Sequence, residues 1–164
     1  MIAEWRCHRG WRLVVAIALA LAPASCGSHS PAPAPEVAIP PGLLVVELPT
    51  IDLGKAVPRA NEQTSPEVFG PPIPSGQFGV RFTAHRESDK GLLPLVGVMF
   101  IVHQRGPSGS LVRGATGLVK RTSKAKTGIG TYEGVCPAPM RNGDAIIEVT
   151  YRDKSYFVRS ARVQ

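Results

Sequence analysis

Large aromatic side chains are scarce in this chain of 164 residues, which has two Trp, three Tyr and five Phe. The basic residues are therefore not interleaved with rings, and the stacking platform of a nucleic-acid-binding sheet is missing. Cysteine is as sparse. Of Cys7, Cys26 and Cys136, only Cys136 falls in the part expected to fold, so there is no disulfide framework. Carboxylates thin out along the chain, and Glu133, Asp144, Glu148 and Asp153 are the only ones after Asp89. Glu133 and Glu148 are the pair that neighbouring strands could bring together, and cross-strand pairing with Arg or Lys is the expected use of each. No Gly-x-Ser-x-Gly elbow occurs, and no His-rich or Met-rich tract. Gly128-Ile-Gly130 is not followed by a helix whose N-terminus could hold a phosphate. The longest apolar run has ten residues, too few to cross a bilayer as a helix.

What is plentiful is glycine and proline, at 17 and 16 residues, which interrupt helices and favour a turn-rich β domain. Residues 1–25 read as an export signal. Arg6, Arg9 and Arg12 form a basic head, and Leu13–Ala22 is an apolar core of signal length. The chain carries a net charge of +7, of which the signal supplies +2 (three Arg against Glu4), leaving +5 on the exported part. Ala24 and Ser25 before Cys26 resemble the lipobox of bacterial lipoproteins, although Pro23 stands where that family has an aliphatic residue. The resemblance implies acylation of Cys26, and Gly27 after it implies sorting to the outer membrane. Several acyl chains on one residue give durable anchoring where one does not. The alternative is cleavage at Ala22-Pro23-Ala24, which releases a soluble periplasmic or secreted protein. Residues 26–42, rich in Pro, Ala and Ser, form an extended tether.

Strands are expected at Leu43–Leu48, Gln77–Arg86, Leu95–Gln104, Leu111–Lys120, Gly128–Cys136, Ala145–Tyr151 and Tyr156–Val163. In the second, Phe78, Val80, Phe82 and Ala84 alternate with Gly79, Arg81, Thr83 and His85, the pattern of a half-buried strand. The third is apolar on both faces, as a covered central strand should be. Gly114 and Gly117 mark a bulge or an edge in the fourth. Residues 50–77, with five prolines, read as a long surface loop holding at most a short strand at Ile51–Leu53. Seven strands without an amphipathic helix predict an all-β fold, an antiparallel sandwich over residues 43–164.

Gly130-Thr-Tyr132-Glu-Gly134, followed by Gly143-Asp-Ala-Ile-Ile-Glu-Val149, resembles the closing strands of bacterial immunoglobulin-like periplasmic modules. The resemblance covers about the last 40 residues. A tyrosine at such a strand start packs its ring on the core while its hydroxyl bonds to backbone at a corner.

The function expected is that of a non-catalytic structural or protein-binding module of the cell envelope. It would be held to the membrane by a lipid on Cys26, with an envelope protein as partner and without a cofactor. Lys120, Arg121, Lys124 and Lys126 are the one basic cluster and the candidate binding surface, able to attract anionic lipid or glycan. The alternative is a periplasmic copper carrier drawing on His29, His85, His103, Met99, Met140 and Cys136. Its best candidates are His103 and Met99, four residues apart on one strand face. That spacing separates their Cα atoms by about 13 Å, so a neighbouring strand would have to supply a ligand. A small hydrolase using Cys136, or Ser with His and Asp, is the third reading. Fatty-acid labelling of cells is expected to mark the wild type and not Cys26→Ala; an unlabelled, soluble wild type would contradict the anchor.

Overall fold

A computed structural model of the chain describes residues 39–61, 70–138 and 141–164. The signal, Cys26, most of the tether, His29 and Met140 lie outside the described residues. The described part is all-β. Its strands are β1 (Val45–Glu47), β2 (Ile51–Asp52), β3 (Phe78–His85), β4 (Val98–Arg105), β5 (Leu111–Arg121), β6 (Gly130–Cys136), β7 (Gly143–Tyr151) and β8 (Lys154–Val163). Alternation decides which side chains face inward. Phe78, Val80, Phe82 and Ala84 of β3 are all buried, and so are Ala145, Ile147 and Val149 of β7. Together with Val98, Phe100 and Val102 of β4 they form one core. Every core side chain among the described residues lies between Val46 and Val163. The unit running from Pro33 to the C-terminus therefore contains everything its described core buries.

The strands form one continuous, curled, open sheet in the order β1-β3-β6-β5-β4-β7-β8, with β2 also on β3. The eight strands are the seven expected together with the short one at Ile51, and the difference from expectation is that β1 and β2 run parallel to β3 instead of antiparallel. The two expected sheets are joined by hydrogen bonds. β5 pairs with β4 from Leu111 to Val119, and only its last three residues, Val119–Arg121, pair with β6. That short ladder is where the sheet folds over. Phe78 and Phe100 lie on strands separated by two others, yet their rings meet edge to face, 6.0 Å between centroids.

Glycine permits the fold-over. A Cβ on Gly134 would sit 2.2 Å from the Leu118 carbonyl oxygen, and one on Gly117 would sit 2.7 Å from that of Val135. The backbones of β5 and β6 cross too closely for any side chain there. The bulge expected in β5 is present, as a register shift against β4 between Ile101 and His103. β5 is an interior strand, not an edge.

Residues 50–77 are largely exposed in their described parts, and the short strand expected at Ile51–Leu53 is present as β2. The loop is nevertheless tied down: Leu53 and Ile73 are fully buried, and residues 70–75 run along the free side of β8. Gly70, Ile73 and Ser75 donate their amides to Ser160, Arg162 and Gln164 at 2.7–2.8 Å, which covers that edge. The reason lies in Ile51, Leu53 and Ile73, which fill the mouth of the core between prolines that the edge positions tolerate.

β7 and β8 are joined by a two-residue turn, Arg152 and Asp153, with φ of 50° and 59°. This is type I′ geometry built without Asn-Gly, so β8 starts at Lys154, two residues earlier than its pattern implies. Tyr132 behaves as a corner tyrosine. Its ring stacks on Phe82 at 5.3 Å and its hydroxyl donates to the Pro94 carbonyl at 2.6 Å. Burial pushes its pKa to about 12.

Gly134→Ala is expected to lower the unfolding free energy by ~2–3 kcal/mol. Gly76→Ala, where nothing lies within 4 Å, should change it by no more than about 0.5 kcal/mol. Chemical denaturation of the two variants measures both.

Candidate functional site

The outer face of β4 carries Met99, Ile101 and His103, opposite Thr150, Glu148 and Ile146 of β7. A strand apolar on both faces is expected to be covered on both, and the chain after β2 folds back over this one. Val57 donates its amide to Ser155 at 2.8 Å, and Ala60 is buried. Glu148 is left only 5% exposed. One carboxylate oxygen lies 2.6 Å from His103 Nε2, the other accepts from Ser155 Oγ, and the backbone at Ala60 supplies a further hydrogen bond. Burial raises the Glu148 pKa. The bonds from His103 and Ser155, with the coulombic attraction of His103, outweigh it, and the carboxyl titrates below its ordinary value. An ionised carboxylate only accepts, so the proton between it and His103 sits on Nε2.

This order of groups decides the chemistry. A hydrolytic triad needs histidine between nucleophile and acid. Here the acid lies between Ser155 and His103, and Ser155, 1% exposed, donates to the carboxylate. Cys136 is fully buried opposite Phe78 in the core, and burial pushes its pKa to about 12, far from a reactive thiolate. Met99 and His103 do line one cavity of about 360 Å³, together with Arg59, Ile101, Arg113 and Glu148. His103 Nε2 is engaged by Glu148, and two arginines share the cavity wall. Among the described residues no group of three or more His, Cys, Asp and Glu stands in metal-holding geometry. The carboxylates Glu133 and Glu148 lie on strands that are not neighbours. Glu133 instead accepts from Arg81 Nε at 2.6 Å, and Arg81 also reaches Glu47 at 3.0 Å, the cross-strand pairing its sequence suggests. His85 sits 4.0 Å from Asp52, whose other oxygen accepts from Ser88.

The basic cluster divides. Lys120 stands beside Glu133 in the β5–β6 ladder, and Arg121 donates through Nη1 to the Leu93 carbonyl at 2.8 Å. Lys124 and Lys126 remain exposed at the tip between β5 and β6. This tip does not stand alone. The stretch before β4 lies along it, with Leu93 N to Lys126 O at 2.9 Å and Arg121 N to Leu95 O at 3.2 Å. Leu92, Leu95, Val96 and Ile129 are each 58–66% exposed on these two loops. Beside them is a cleft of about 560 Å³ lined by His85, Arg86, Lys90, Thr127 and Ile129. This aliphatic rim was not legible in sequence. Leu95 and Val96 continue the apolar run of β4, and only Gly97, with φ of 86°, signals that the strand begins after them.

No family model matches the chain, and comparisons with curated proteins and with solved structures find no significant match.

Glu148→Gln is expected to destabilise the domain at neutral pH by ~1–3 kcal/mol, because a buried charged acceptor for two donors is lost. The folded pKa is depressed, so the wild-type advantage is complete above the ordinary carboxyl value. It disappears as the pH falls through the folded value. Melting curves of both proteins across the acid range test the sign; a gap that widens towards low pH would contradict it.

Proposed function

We propose that this is an exported protein, retained at the cell envelope through a lipid on Cys26, that works by contact and not by catalysis. The observation that carries the reading is the rim formed by residues 90–97 and 124–129. There, exposed Leu92, Leu95, Val96 and Ile129 stand among Lys90, Lys124 and Lys126. Exposed aliphatic side chains grouped with cations on backbone-pinned loops are the mark of a contact surface. The non-catalytic part draws support from the engagement of His103 and Ser155 by one carboxylate and from the burial of Cys136. An immunoglobulin-like ancestry is supported by the apposed halves of the sheet and by the corner tyrosine. The short β5–β6 ladder is where the fold departs from a two-sheet sandwich.

β1 runs parallel to β3 from its start, so the chain enters at the end of the sheet opposite the rim. Leu44, 68% exposed, marks that entry end. A photo-crosslinking residue at position 95 in intact cells is expected to form adducts that the same residue at position 44 does not. Equal yields from both positions, or none from either, would count against the reading.

A further inference from the structure

We infer that the rim docks on an anionic lipid bilayer, a step that rests on the contact-surface reading and names what is contacted. Four aliphatic side chains, Leu92, Leu95, Val96 and Ile129, protrude from two loops. The loops are fixed to one another by the Leu93–Lys126 and Arg121–Leu95 backbone bonds and to the core by Tyr132 and Arg121. They hold these side chains out as a preset group. The charges around them have one net sign. Lys90, Lys124 and Lys126 are exposed, while the acids at this end are Asp52, Glu87 and Asp89, of which Asp89 is paired with Arg86 and Asp52 accepts from Ser88. Aliphatic side chains separated by lysines suit a bilayer better than a protein face. Each can enter the acyl boundary on its own while the ammonium groups meet lipid phosphates. The cleft beside Lys90 and Ile129 leaves room for a headgroup between the loops.

The number of residues between them would allow the anchor and the rim to meet one membrane. Entry end and rim are separated by the length of β3, about 27 Å for eight residues. The 17 residues from Cys26 to Gly42 could by their number reach about 50 Å at full extension. Docking would therefore lay the domain down on the membrane that holds its lipid.

Residues 33–164 carry the described core but neither Cys26 nor a tryptophan, since Trp5 and Trp11 both precede them. This piece is expected to co-sediment with vesicles of phosphatidylglycerol and phosphatidylcholine and not with phosphatidylcholine alone. The double variant Lys124→Glu with Lys126→Glu should weaken binding at least about tenfold, as should high salt. In Leu95→Trp the single indole should shift its emission to the blue on anionic vesicles. Leu92→Ser with Ile129→Ser should weaken binding with the charge unchanged. A folded piece that ignores anionic vesicles, or binds neutral ones equally, overturns the inference, and so do position-95 adducts in cells that are protein alone. Such a failure leaves the labelling of Cys26 untouched, because this piece lacks that residue.

Discussion

The near-contact of two backbones, where β5 passes over β6, is the constraint on which the fold depends. A single sheet with one greasy face has to bury that face against something, and this chain has no helix among its described residues to serve. It buries the face against itself. Gly117 and Gly134 let the strands approach until only hydrogen atoms fit between backbone and backbone, and β5 turns the corner with three paired residues. The aromatic residues, few as they are, sit where the two halves meet: Phe78 on Phe100, and Phe82 on Tyr132. The remaining edge is covered by residues 70–75, so neither proline-rich composition nor scarcity of rings prevents a dry interior.

The proposed function draws on what this economy leaves outside. The outer face of β4 and β7 is roofed by Val57–Ala60, and its one buried charge is surrounded by donors. That arrangement ties Ser155 and His103 to one carboxylate beneath the roof. The exposed group of Leu92, Leu95, Val96 and Ile129 lies at the opposite end from the chain entry, on loops that the core itself pins through the Tyr132 hydroxyl. The contact role proposed for the protein draws on this cationic, aliphatic rim held on a rigid scaffold.

Much of the strand plan was legible because alternation reports directly on burial. Phe78–Ala84 reads as a half-buried strand and is one, and Ala145–Tyr151 is the strand its alternation suggests, although Ile146, Glu148 and Thr150 on its second face are buried too. The corner role of Tyr132 and the bulge in β5 were also legible, the first from its strand-start position and the second from Gly114 and Gly117. Pairing was not. Nothing in a strand's own sequence says that β1 and β2 should run parallel to β3, or that β5 should bridge the halves; those depend on contacts far apart in the chain. The burial of Ile73 was hidden by the prolines around it, and the Glu148–His103 pair by a roof from a distant segment. At the site, Lys124 and Lys126 stayed exposed as their sequence suggests, while Arg121 turned inward to hold Leu93.

The fold-over itself can be observed by nuclear Overhauser spectroscopy on residues 33–164. Backbone cross-peaks between Lys120 and Glu133 should appear together with ring cross-peaks between Phe78 and Phe100, because one bent strand places both pairs in contact. Ring contacts without any backbone contact between residues 119–121 and 132–134 would mean two separate sheets, and would contradict the account.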